Sequence, residues 1–171
     1  TAVVLLAGAL ATFETGAPYV ALAAPAVAAA GIAYAYGPGI DPAWELSCSM
    51  AISDRMVLLV RALAVFGVNA ALGLAASAAS GAALAVTVGW LVPMTAVCAL
   101  ALAAATVARS ANVGVAAGLA AWVIMVLSSE LSTGRITAAV TDSVLWFPYL
   151  TVAGCCTAIV LYATRIRRGT S

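Results

Sequence analysis

The chain has 171 residues, of which 65% are hydrophobic and only 8% are charged. A soluble domain carries about 25% charged residues, so this composition excludes an ordinary soluble protein and is typical of a polytopic membrane protein. All seven basic residues are arginine and histidine is absent, which removes most metal-site and general-base chemistry. The four cysteines form no Cys-x-x-Cys pair, so neither a disulfide framework nor a zinc site is predicted.

Six apolar segments follow one another, and each is predicted to be a transmembrane helix because a bilayer offers the backbone no other partner. They cover residues 1–13, 17–36, 56–78, 82–108, 112–128 and 144–164. The first would extend only about 20 Å, less than the roughly 30 Å of a bilayer core. We therefore expect this span to be truncated, with an N-terminal part missing. The sequence predicts an all-α integral membrane protein with a single six-helix transmembrane domain.

The arginines are distributed unevenly among the connections. Only Arg135 lies in the fifth connection, whereas the other six lie in or beside the second and fourth connections and at the C-terminus. These six are Arg55, Arg61, Arg109, Arg165, Arg167 and Arg168. Basic residues favour the cytoplasmic side, so the second and fourth connections and the C-terminus are predicted to be cytoplasmic. The use of Arg in place of Lys, with abundant Ala, Gly and Val, indicates a GC-rich bacterium and therefore a bacterial plasma membrane.

Several local features lie within or beside the spans. Pro25 and Pro93 each remove a backbone donor and are predicted to kink their helices. Gly114 and Gly118 form a small-xxx-small pair that permits close helix packing, although such pairs also arise by chance in so Ala- and Gly-rich a chain. In the outer connection, residues 136–140 are predicted to form a short interfacial or re-entrant helix. The aromatic cluster 146–149 follows it, where a membrane–water boundary is expected.

One stretch, residues 37–55, interrupts the apolar pattern. Asp41 followed by Pro42 is a helix-start signal, and Glu45 then lies in the first turn, where the helix dipole favours an anion. The pattern predicts a short helix over about 42–51, a break, and a new helix starting at Ser53 with Asp54 in its first turn. The short helix has two apolar stripes, one with Trp44 and one with Leu46 and Met50, which favours contact on two sides.

Residues 43–61, Ala-Trp-Glu-Leu-Ser-Cys-Ser-Met-Ala-Ile-Ser-Asp-Arg-Met-Val-Leu-Leu-Val-Arg, resemble the cytoplasmic signature of ABC-2 type transporter permeases. In that family an acidic residue enters a small helix, a Thr-Pro-x-Ser-like turn follows, and the next apolar helix carries a basic residue in its second turn. Glu45 matches the acidic position, residues 50–53 match the turn without its usual Thr-Pro, and Arg61 matches the basic position. The six-span order also resembles that of the family.

The resemblance implies the transmembrane subunit of an ATP-binding-cassette exporter, not an enzyme. The short helix would be a cytoplasmic coupling helix between spans 2 and 3 that docks on a separate ATP-binding cassette subunit. Its contacts would come from Trp44, Glu45, Leu46, Met50 and Ser53, with Arg55 and Arg61 at the inner membrane interface. The chain has no Gly-x-x-x-x-Gly-Lys loop, so no cofactor is expected on it, and the partner would bind ATP and Mg²⁺. The resemblance also implies a second membrane subunit, which would be either an identical chain or a sister chain. It implies no nucleic-acid partner.

Because the spans carry almost no charge, the expected cargo is hydrophobic or amphipathic. Two other classes stay open. An intramembrane enzyme needs ionisable groups in or beside a span, but Glu14, Glu130 and Asp142 have no fixed spacing that would pair them. An ATP-independent accessory or sensory subunit would lack an associated ATPase, so copurification distinguishes it from an exporter subunit.

Overall fold

The computed structural model describes residues 19–34, 54–79, 89–135 and 138–166. These residues form five long helices and a short helical corner. The elements in chain order are α1 (Tyr19–Tyr34), α2 (Asp54–Ala79), α3 (Leu91–Ala108), α4 (Ala111–Thr133), α5 (Ala138–Thr141), a 3₁₀ turn (Ser143–Leu145) and α6 (Trp146–Ile166). The described part of the chain contains no β-strand, so the predicted all-α class is confirmed there.

Three stretches of the described chain are helical and both long and apolar enough to cross a membrane: Leu91–Ala108, Ala111–Thr133 and Ser143–Ala163. Two shorter apolar helical stretches, Leu22–Tyr34 and Leu59–Ala75, accompany them. The 16 residues of α1 extend about 24 Å, less than a bilayer core of about 30 Å. A multi-pass membrane protein is therefore supported but the predicted count of six spans is not, and the predicted first span, 1–13, lies outside the described residues.

Helix α3 lies at the centre of the bundle. It packs against α1, α4 and α6, and 56% of its residues are buried inside the protein, against 22% for α4. Its side chains at Met94, Val97, Ala101 and Ala105 are fully buried. Within the predicted fourth span, 82–108, α3 runs from Leu91 to Ala108 after a turn at Trp90, and residues 82–88 lie outside the described residues. The core of the described bundle is thus built around one apolar helix whose buried residues are mostly small.

The Gly114–Gly118 pair lies at a close helix contact in the bundle core. A Cβ atom at Gly114 would be 2.7 Å from the Ala101 carbonyl oxygen and 3.1 Å from Ala33 Cβ, and one at Gly118 would be 3.1 Å from Ala29 Cβ. Because the contacts run from Ala33 to Ala29 as α4 advances, α1 and α4 are antiparallel. The close packing that this pair permits is therefore present, and it joins α4 to both α1 and α3.

The two prolines have different structural consequences. Pro93 lies in the first turn of α3, where a backbone N–H has no helical partner in any case. Pro93 therefore costs α3 itself no hydrogen bond, and because residues 80–88 lie outside the described chain, the predicted kink in the span 82–108 stays a prediction. Pro25 lies inside α1, where its missing N–H does break the hydrogen-bond ladder. The indole Nε1–H of Trp122 in α4 donates to the Leu22 carbonyl in this turn at 2.9 Å.

A second aromatic residue joins α2 to the start of α3. The indole ring of Trp90 is fully buried and lies over Gly73, where a Cβ atom would be 2.5 Å from Cη2. Only glycine leaves room for the ring at this position. Asn69, one turn earlier in α2, is also buried, and its side-chain nitrogen donates to the Val65 carbonyl at 2.8 Å. The sequence pattern did not predict the contact between Trp90 and Gly73.

Candidate functional site

The predicted contacts of the coupling helix cannot be placed, because Trp44, Glu45, Leu46, Met50 and Ser53 lie outside the described residues. The structure does describe the helix that follows them. Helix α2 is described from Asp54 onward, and Ser53, the predicted helix start, lies outside the described residues.

The two basic residues predicted for the inner interface both belong to α2. Arg55 lies in its first turn, and Arg61 lies two turns along the helix, where its side chain is partly buried. The structure therefore places both arginines near the start of an otherwise apolar helix.

The described residues also form a cavity of about 420 Å³ at the corner between α4 and α6. It is lined by residues of the last turns of α4, by the short α5 corner and by the first turns of α6. The lining residues are Met125, Ser128, Ser129, Ser132, Thr133, Ala138, Asp142, Leu145, Pro148, Tyr149 and Val152. One wall is thus rich in hydroxyl groups and the facing wall is largely apolar.

Three hydrogen bonds shape the corner. Helix α4 ends at Gly134, whose left-handed backbone (φ 65°) favours glycine and whose N–H donates to the Glu130 carbonyl. The Val144 N–H donates to Asp142 Oδ1 at 2.9 Å, so Asp142 caps the turn that leads into α6. The buried Tyr149 hydroxyl donates to the Ala139 carbonyl at 2.9 Å and so holds α5 against α6. These bonds hold the chain in the reversal that encloses the cavity.

Three of the cavity hydroxyls on α4, those of Ser128, Ser132 and Thr133, donate their hydrogens to carbonyls of their own helix. Ser128 Oγ donates to the Met125 carbonyl at 2.9 Å. Ser132 Oγ and Thr133 Oγ1 both donate to the Ser129 carbonyl, at 3.3 Å and 2.7 Å. A hydroxyl has one hydrogen and two lone pairs. After these bonds the three groups can offer a ligand only acceptor oxygens.

Asp142 is the only charged residue among those that line the cavity, and it is half-buried. The other charged groups of this corner, Glu130 and Arg135, are exposed and do not line it. The site therefore combines one carboxylate, several hydroxyl acceptors and an apolar wall.

Only part of this site was predictable from the sequence. A short helix was predicted at 136–140, and the structure has one at Ala138–Thr141. The aromatic cluster opens α6, with Phe147 80% exposed and Tyr149 5% exposed. The cavity itself was not predicted. Its one signal in the sequence is the spacing of Ser128, Ser129, Ser132 and Thr133, which places hydroxyls three or four residues apart on one face of a helix.

Comparison of the chain with protein-family models, with curated proteins and with solved structures found no match. The resemblance of residues 43–61 to ABC-2 permeases therefore stays a prediction. Any function proposed from this resemblance therefore rests on the residues of the motif alone.

Proposed function

We propose that this chain is the transmembrane subunit of an ATP-driven exporter of the ABC-2 type. The proposal rests on one observation: the sequence motif runs into a helix that the structure describes. The motif of residues 43–61 leads directly into α2, which begins at Asp54 and carries Arg61 in its second turn, as the motif requires. Three membrane-spanning helices in the described chain supply the kind of domain that such a subunit needs.

In this proposal the segment 42–51 is the coupling helix of a six-span domain. It docks on a separate ATP-binding cassette subunit, which binds ATP and Mg²⁺, while a second membrane subunit completes the translocation path. Closure of the ATPase subunits moves the coupling helices and thereby the membrane helices. The cargo is hydrophobic or amphipathic, because helices with so few charges provide no partners for a strongly charged solute. The protein lies in a bacterial plasma membrane with its C-terminus in the cytoplasm.

The proposal is tested by substitution within the coupling segment. We expect Trp44→Ala and Glu45→Ala to insert normally but to abolish the stimulation of ATP hydrolysis by substrate, because the apolar anchor or the acidic contact to the ATPase is lost. The measurement is ATPase activity of the reconstituted complex. Trp146→Ala and Glu130→Ala are the matched controls, because they change the same residue types at exposed positions outside the segment. Wild-type stimulation in both Trp44→Ala and Glu45→Ala would contradict the proposal.

A second candidate is an accessory or sensory subunit that works without ATP. The cavity at the α4–α6 corner favours it, because a ligand pocket at one end of a bundle suits a sensor as well as a transporter. Purification in mild detergent after crosslinking separates the two candidates. A stoichiometric soluble ATPase in the complex supports the exporter subunit, and a complex without one supports the accessory subunit.

A further inference from the structure

We propose that the cavity at the α4–α6 corner is a binding site for a primary ammonium group attached to a short apolar chain. This inference concerns the described residues alone and does not depend on whether an ATPase subunit is present. It is carried by three properties of the cavity: its charge, the direction of its hydrogen bonds and the nature of its opposite wall.

The charge of the cavity selects a cation. Asp142 is its one charged lining residue, and Oδ1 of this carboxylate already accepts the Val144 N–H. A carboxylate has about four lone-pair sites on two oxygens, so it keeps acceptor capacity for a ligand. Arg135, the arginine of this connection, is exposed and does not line the cavity. An anionic ligand would meet Asp142 without a compensating cation in the lining, which disfavours it.

The hydrogen bonds within the cavity favour a ligand that donates hydrogen bonds. The hydrogens of Ser128, Ser132 and Thr133 are donated to backbone carbonyls, and that of Tyr149 is donated to the Ala139 carbonyl. These hydroxyls therefore present oxygen lone pairs. A primary ammonium has three donors and no acceptor, which matches a cavity lined by one carboxylate and several hydroxyl acceptors. A quaternary ammonium has the charge without the donors.

The opposite wall selects an apolar chain. It is formed by Leu145, Pro148 and Val152, in the turn and helix that face α4, and Met125 adds an apolar side chain from α4 itself. The cavity volume of about 420 Å³ lies within the range of small-molecule sites, about 300–1,000 Å³. A ligand with an ammonium at Asp142 and a short alkyl or aryl group along this wall satisfies both halves of the cavity.

A purely structural role for Asp142, as the cap of the turn before α6, is the alternative that the experiment must separate. Asn caps helices about as well as Asp, so Asp142→Asn keeps the bond from Val144 and removes only the charge. The probe is hexylammonium, which is protonated at pH 7, measured by isothermal titration calorimetry on the full chain in nanodiscs. Empty nanodiscs correct for partition into lipid.

We expect hexylammonium to bind the wild type at least about tenfold more tightly than Asp142→Asn, since charge-assisted hydrogen bonds are among the strong ones. It should also bind at least about tenfold more tightly than 1-hexanol, and several-fold more tightly than hexyltrimethylammonium. The control Glu130→Gln removes an exposed carboxylate that does not line the cavity and should leave the affinity unchanged.

Equal affinity of the wild type and Asp142→Asn for hexylammonium overturns the proposal, as does equal affinity for hexylammonium and 1-hexanol. Equal binding of hexyltrimethylammonium overturns the part assigned to the hydroxyl acceptors. Thermal unfolding of each variant is measured in parallel. If Asp142→Asn unfolds, Asp142→Ser provides a second capping residue without charge, and its affinity decides in the same way.

Discussion

Single side chains complete hydrogen bonds that the helices cannot make for themselves. Because Pro25 has no backbone N–H, the Ala21 carbonyl lacks its usual helical hydrogen-bond donor. The proline ring also disturbs the preceding turn of α1. The indole of Trp122 donates to the Leu22 carbonyl in that turn at 2.9 Å. In a membrane, a proline inside a helix is tolerated where a neighbouring helix satisfies the freed backbone groups. Trp122 is 5% exposed and donates from α4 to the carbonyl next to the freed one, in the turn that the proline ring disturbs.

The first prediction concerns this pair. We expect Trp122→Phe to lower the free energy of unfolding by about 1 kcal/mol, beyond any loss from the smaller ring, because the Leu22 carbonyl loses its donor. In a Pro25→Ala background that loss should shrink, since without the proline ring the turn can become regular and the Ala26 N–H can then bond the Leu22 carbonyl with full helical geometry. The measurement is a double-mutant cycle of unfolding in mixed micelles, with Trp146→Phe as the exposed control. Identical costs in the two backgrounds would show that the indole does not compensate for the proline.

At the level of elements, the bundle depends on glycines where helices meet and not on glycines at the surface. A Cβ at Gly114 would be 2.7 Å from the Ala101 carbonyl oxygen and from Ala105 Cβ, whereas a Cβ at Gly154 in α6 would meet nothing within 4 Å. Both residues lie inside apolar helices and both have small neighbours. The space available for a Cβ atom at each glycine depends on whether another helix faces it and not on its local sequence.

This contrast gives the second prediction. Gly114→Ala should destabilise the protein by about 1–3 kcal/mol, because α4 must move away from α3 and α1 to admit one methyl group. Gly118→Ala should cost less, since the closest contact of its Cβ, 3.0 Å to Ala101 Cβ, is longer than the 2.7 Å contacts at Gly114. Gly154→Ala should be neutral or slightly stabilising, because alanine favours the helix. Thermal unfolding of the three variants checks the order, and an equal loss at Gly154 would contradict it.

The elements also show what the sequence could predict. Long apolar runs gave the existence and type of the five described helices, because apolar composition and backbone satisfaction in lipid leave only helices. They did not show that α3 is the core helix, since its sequence is no more apolar than a lipid-facing helix would be. The pairing of Trp90 with Gly73 was not predictable either, because the two residues lie in different helices and neither follows a local pattern.

At the scale of the whole molecule, the candidate sites were predicted to different degrees. The segment 42–51, which we propose as a coupling helix, could be singled out in the sequence because polar residues interrupt an apolar chain, which is a strong local signal. The cavity was missed because its Asp142 and its hydroxyls come from three elements that only the turn at Gly134 brings together. Asp142 alone, in a polar connection, looks like any solvated acid. A site built by chain reversal leaves little trace in one sequence.

The last prediction concerns orientation in the membrane. The 23 residues of α4 extend about 34 Å, enough to cross a bilayer core, so Ser110 and Arg135 on either side of it should face opposite compartments. The excess of arginine elsewhere predicts that Ser110 lies in the cytoplasm and Arg135 outside.

In a variant with Cys48, Cys98, Cys155 and Cys156 replaced by alanine, Arg135→Cys should react with an impermeant maleimide in intact cells. Ser110→Cys, at a helix start without a side-chain cap bond, should react only after permeabilisation. Labelling of both from one side would show that α4 does not cross the membrane, and the reverse pattern would show that the arginine distribution predicts the wrong orientation.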